Sequence, residues 1–351
     1  MGRARKQRTE NRKPTVLMRV AGLSLVGLVC ILTASCTLDK SGRTSPIARS
    51  NVSVQVGTTN TASNQKPASA SDSSVTLVSP TYELAELIER FEKDCMSAEQ
   101  KANVAVARTE WLNLKESGHT RWGSENWMKD PDYYKGLNTS QLVDECFSRT
   151  IFANEMSIYN EAAFGFESLK IFHNGFAELF KREDLWEGIL HLYEHLSAKL
   201  DPEADLIQIV SAASHLDELR KLYVLSPLRE QVKGREAIFL GANLRVLKRF
   251  RWYLENYDPE KLGTGGSPGF FREPCSVARV ALMLAKQVDP KRYAEIEPAV
   301  TSVRWTKEQK IEDLKRFINL VITNLEGFVS NEDTASLLKI LREQERMVRR
   351  S

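Results

Sequence analysis

The sequence predicts an all-α fold, either a multi-helix bundle or an irregular stack of helical hairpins, behind a disordered N-terminal tether. Three observations carry this. After residue 80, apolar residues recur at three- and four-residue spacings over long windows, as one face of an α-helix requires. Helix-start grammar repeats down the chain: Ser79-Pro80, Asp201-Pro202 and Ser226-Pro227 each place a capping residue before a proline at the first helical position. No convincing run of alternating apolar and polar residues, the mark of a half-buried strand, appears in the same region.

The N-terminus comes first. Residues 1–19 carry Arg3, Arg5, Lys6, Arg8, Arg12, Lys13 and Arg19 against a single acid, Glu10. An uncharged apolar run of 16 residues, 20–35, follows and closes on small side chains. A membrane-spanning helix needs about 20 apolar residues. A basic segment, a short apolar run and a small-residue cut site instead predict a secretory signal over residues 1–35.

The end of that run, Leu32-Thr33-Ala34-Ser35-Cys36, resembles the lipobox of bacterial lipoproteins, with Thr33 where leucine is the commoner residue. The resemblance covers only the first 36 residues. It implies cleavage before Cys36, diacylation of its thiol and attachment to a membrane through that lipid. Thr37 is not the aspartate that retains lipoproteins at the inner membrane of enteric bacteria. The resemblance therefore implies an outer-membrane address facing the periplasm if the host is Gram-negative.

Removing the signal changes the charge argument. The whole chain has a net charge of +3, but residues 1–35 hold seven basic residues and one acid, so the remainder is −3. The basicity belongs to the signal and gives no reason to expect nucleic acid as a partner. Three cysteines remain beyond Cys36: Cys95, Cys146 and Cys275. In an oxidising compartment they allow one disulfide and one thiol, or three small buried residues.

Residues 36–78, the lipidated cysteine and a segment rich in Ser, Thr, Asn and Ala, contain no aromatic residue; the first in the chain is Tyr82. Such a segment buries too little apolar surface to offset its ordering entropy, which predicts a disordered tether. The globular domain is then 79–351. In it Leu84, Leu87, Ile88, Phe91, Cys95 and Ala98 mark one buried face. Asn138 with Gln141 opens a helical stretch to about 181. Asp184 with Glu187 reads as an acidic capping box, and Thr306 with Gln309 as a standard one. Two further stripes run from Leu206 through Leu219 and from Ile311 through Leu325. The expectation is about eight to ten helices, with longer non-helical pieces near 118–138 and 258–275.

Four stretches could carry chemistry. His191-Leu192-Tyr193-Glu194-His195 fits the H-x-x-E-H pattern of inverted zinc peptidases, in which histidines at i and i+4 hold zinc and the glutamate is the general base. Glu273 would be a distant third ligand, and His173 and His215 extra ones. Against that reading, Leu185, Ile189, Tyr193, Leu196 and Leu200 share one face, which leaves His191 and His195 on the opposite side, expected to meet water. The strands that precede such a motif helix are also missing.

Gly265-Gly266-Ser267-Pro268-Gly269 matches G-x-S-x-G. Pro268, however, lacks the N–H that an oxyanion hole takes from the residue after the serine. The segment 119–137 sets Trp122, Trp127, Tyr133 and Tyr134 among polar residues, suited to stacking on a sugar ring or sealing the core. Residues 243–257 interleave Arg245, Lys248, Arg249 and Arg251 with Phe250, Trp252 and Tyr253, most simply a solvated helix face.

The function expected is therefore non-catalytic: a lipid-anchored cell-envelope protein whose helical domain binds an envelope partner or acts as a scaffold, with no cofactor. Two alternatives stand beside it. One is a zinc-dependent hydrolase built on His191, Glu194 and His195. The other is a glycan or peptidoglycan binder built on residues 119–137.

Overall fold

Helix α1 (Pro80–Glu92) begins at the proline that the sequence marks, and Leu84, Ile88 and Phe91 are buried as its stripe requires. The computed structural model describes residues 80–93, 97–118, 129–147, 152, 155–156, 162–224, 228–256, 272–302 and 310–349. The signal, Cys36, the tether, Cys95, Trp122, Trp127, the Gly265–Gly269 motif and the Thr306 capping box lie outside these residues. Among the described residues the fold is all-α, with fourteen α-helices and no strand.

In chain order the remaining helices are α2 (Ala98–Glu116), α3 (Pro131–Gly136), α4 (Thr139–Phe147), α5 (Ala162–Phe172), α6 (Asn174–Leu179), α7 (Leu185–Ala198), α8 (Leu206–Val224) and α9 (Leu228–Val232). Then follow α10 (Glu236–Asn256), α11 (Arg272–Val288), α12 (Pro290–Thr301), α13 (Lys310–Leu325), a 3₁₀ turn (Glu326–Phe328) and α14 (Asn331–Arg349). More helices form than the eight to ten expected, because stretches read as continuous are broken.

The break at His173 shows how. Its Nδ1 accepts a hydrogen bond from the Phe176 N–H at 3.3 Å, so the imidazole caps α6 and ends the run that began in α5. Histidine is not among the favoured N-cap residues, so nothing in the residue type marks a break there. The Asn138 box, by contrast, forms reciprocally. Asn138 N–H donates to Gln141 Oε1 at 2.9 Å, and Gln141 N–H donates to Asn138 Oδ1 at 3.0 Å.

The Asp184 box does not form, since Asp184 makes no side-chain cap bond. Its Oδ1 instead accepts from the Thr139 hydroxyl at 2.7 Å, and Glu187 accepts from Gln344 Nε2 at 2.7 Å. Tertiary partners have taken both acids. Asp201-Pro202 also starts later than read. Residues 201–204 form a turn closed by the Ala204 N–H to the Asp201 carbonyl at 3.0 Å, and α8 begins at Leu206.

Two helices organise the core. From Cys275 to Ala285 every residue of α11 is buried, and the helix packs against α1, α8, α10, α12 and α13. Helix α10 contacts α7, α11, α13 and α14. Asn243 is fully buried in α10 and donates to the Tyr223 hydroxyl at 3.0 Å and to the Phe239 carbonyl at 2.8 Å, so its amide hydrogens are satisfied. Cys146 and Cys275 are both buried thiols and are not joined to each other, which favours the reading of these two as small core residues. Among the described residues no helix is long and apolar enough to cross a membrane.

Candidate functional site

The helix that carries His191 and His195 is α7, which packs against α4, α8, α9, α10 and α14. Gly188 sets the approach to α4. A Cβ there would lie 2.8 Å from Val143 Cγ2 and 3.3 Å from Thr139 Cγ2, so any side chain at this position must push its α4 neighbours aside. One turn further on, the same side of α7 presents His191 and then His195, whose rings stand 6.5 Å apart at an interplanar angle of 23°.

The expected solvated face therefore exists only in part. His195 is exposed, but His191 is half-buried and its Nδ1 is shielded from solvent without a hydrogen-bond partner among the described residues. Asp144 on α4 acts electrostatically on both rings.

Glu194 points to α10 instead. Arg245 clamps its carboxylate with both arms: Nε donates to Oε2 at 2.9 Å, and Nη2 donates to Oε1. A general base must face a metal-bound water, and a carboxylate held in a bidentate ion pair is poorly placed to do so. His173 is buried in α6 as a cap, and His215 sits half-buried on α8. Glu273 occupies the first turn of α11. Among the described residues no three His, Cys, Asp or Glu side chains converge closely enough to hold a metal ion.

The basic and aromatic stretch of α10 is likewise occupied within the protein. Besides Arg245, Lys248 pairs with Glu326 at 2.8 Å and Arg251 donates to Asn319 Oδ1 at 3.4 Å. The Arg249 guanidinium covers the Trp252 ring at 4.3 Å.

The aromatic segment divides. Tyr134 is fully buried against His173, with ring centroids 5.9 Å apart, so it seals the core and cannot stack on a ligand. Tyr133 remains 42% exposed. Helix α3, which carries both, is held at its end by Arg182. Nη2 of that arginine donates to the carbonyls of Tyr134, Lys135 and Leu137 at 3.5, 3.4 and 3.3 Å. Where α3 meets α4, Tyr133, Leu137, Gln141, Asp144 and Glu145 line an open groove of about 340 Å³. Sequence reasoning missed Gln141, Asp144 and Glu145 as groove residues, because nothing in a short acidic helix distinguishes them from solvated charges.

No protein-family model, curated protein or solved structure matches this chain. The site is therefore read from its own geometry.

Its electrostatics give a test. Burial raises the Asp144 carboxyl above its ordinary 3.8, against the opposing pull of His191, His195 and Lys199. A raised carboxyl contributes stability that is complete below pH 3.8 and is lost as pH climbs through the folded-state value. Asp144→Asn should therefore melt above the parent at pH 7, with the advantage fading as pH falls toward 4.

His195 has the opposite sign. Partial desolvation of its ring, then Lys199, lower it below 6.5, so its contribution is complete above pH 6.5 and is lost as pH falls through the depressed value. His195→Gln should flatten the melting profile in that lower window and leave pH 8 unchanged. Thermal melts from pH 4 to 8 check both variants, and parallel profiles for all three proteins would refute the assignment.

Proposed function

We propose that this protein is a non-catalytic helical binding module of the cell envelope, held at a membrane by a lipid on Cys36. The observation that carries the non-catalytic part is the Glu194–Arg245 clamp. The one residue of the H-x-x-E-H motif that would act as general base is bound at both oxygens to a guanidinium. His191, in turn, is half-buried at the seam with α4. These groups support the fold, and the open groove beside them, between α3 and α4, is the surface we assign to a ligand.

The anchor rests on the lipobox-like Leu32–Cys36 segment and the aromatic-free tether behind it. Cys36→Ser should abolish incorporation of a fatty-acid analogue and move the protein from the membrane to the soluble fraction. Persistent labelling of the variant would sink the anchor. For the non-catalytic part, the purified chain should hold no stoichiometric zinc. Zinc that disappears in a His191→Ala, His195→Ala double variant would restore the hydrolase.

A further inference from the structure

The α3–α4 groove is rich in acceptors. Two of its five lining side chains are carboxylates, none is a cation, and Gln141 has already committed its Oε1 to the Asn138 N–H. Leu137 offers an apolar wall and Tyr133 an exposed ring. The chain itself demonstrates what such a surface holds. The Lys129 ammonium sits 4.0 Å from the Tyr133 ring centroid and 2.9 Å from Glu145 Oε1. That is an ammonium on an aromatic face with a carboxylate beside it, the geometry of cation–π recognition.

Asp144 is the remaining acid. Among the described residues no hydrogen bond or ion pair engages it, although it is half-buried between the groove and α7. A partly desolvated carboxylate without a direct partner in its own fold costs stability, and proteins keep such groups where a ligand uses them.

We propose that this groove binds an organic cation, a primary alkylammonium whose charged head meets Asp144 beside the Tyr133 ring and whose alkyl stem lies on Leu137. The inference rests on reading the domain as a binding module. Two sources supply that chemistry: a free polyamine, and a lysine side chain presented by a peptide. Lys129 already pairs with Glu145, so Asp144, which feels His191, His195 and Lys199 only at longer range, is the carboxylate left for an incoming cation. Lys129 competes as a tethered internal ligand.

The test is calorimetric titration of the full chain in detergent micelles with spermidine and with N-acetyl-lysine methylamide. The Nε-acetylated lysine derivative and 1,6-hexanediol serve as uncharged controls. Saturable binding is expected for one or both cations and for neither control. It should weaken about tenfold or more in Asp144→Asn and severalfold in Tyr133→Leu, tighten in Lys129→Ala, and stay unchanged in Glu230→Gln, an exposed acid paired with Lys233 elsewhere.

Binding of spermidine alone identifies a free polyamine, and binding of the capped lysine alone identifies a peptide side chain. Asp144→Asn is expected to fold at least as well as the parent at pH 7, so loss of binding would not reflect unfolding. A flat titration, equal binding of the neutral controls, or full binding by Asp144→Asn overturns the proposal. Those outcomes are separate from the anchor: a flat titration in a chain labelled at Cys36 removes the groove alone, and failed labelling leaves the titration standing.

Discussion

Phe176→Ala should lower the stability of the folded domain by about 3–5 kcal/mol, the range for emptying a large aromatic site in a packed core. Phe176 is fully buried and lies at the centre of a ring cluster. Its centroid is 5.3 Å from Phe147, 5.9 Å from Phe152, 5.8 Å from Phe180 and 5.1 Å from His173. The helix that carries it, α6, has only six residues. Helices shorter than about 12 residues are marginal without tertiary support, so this ring holds α6 in place as well as filling space. Equilibrium urea unfolding measures the loss. Phe180→Ala, at a half-buried position of the same cluster, should cost clearly less. Equal losses would mean that the cluster does not centre on Phe176.

The second large effect is expected at Gly188. Gly188→Leu forces a side chain into a gap where even a Cβ meets Val143 Cγ2 at 2.8 Å. Overpacking of this kind costs about 1–3 kcal/mol when the neighbours can shift. Here the shift separates α4 from α7, so a second readout should change with it: the pH dependence that Asp144 and His195 impose on melting should flatten as the two side chains draw apart. Gly188→Ala sets the scale. It gains about 1 kcal/mol of helix propensity and loses a similar amount against Val143, so its net change should be small. A Gly188→Leu variant that melts like the parent, with its pH profile intact, would show that the seam is not tight at this point.

The sequence was legible wherever burial is periodic. The stripe Leu314, Phe317, Ile318, Val321, Ile322 and Leu325 is buried throughout, because one face of α13 is simply turned to the core. It was illegible where a residue's partner lies far along the chain. Asp184 and Glu187 match a local capping rule, yet Thr139 and Gln344 take their oxygens. His191 lies opposite the main apolar stripe of its own helix, yet α4 covers that side, and neither Asp144 nor the small cross-section of Gly188 can be matched to it by spacing. Tyr133 and Tyr134 look alike in the sequence. The turn of α3 separates them, sending one ring into the core and leaving the other at the groove. For the candidate site, then, the sequence supplied Tyr133 and the two histidines. Packing supplied the acids that make the surface chemically distinct.

Gln344 of α14 carries one more consequence. It is buried and accepts a hydrogen bond from the Ser140 hydroxyl of α4 while donating to Glu187 of α7. Ser140 and Gln344 are 204 residues apart. On the export we propose, the chain is delivered N-terminus first, so α4 and α7 arrive before α14. For that interval the α4–α7 pair has an open polar seat, with a hydroxyl and a carboxylate waiting for an amide not yet delivered. Vectorial delivery therefore cannot finish this fold from its N-terminal side, and the order in which the helices emerge differs from the order in which they can lock.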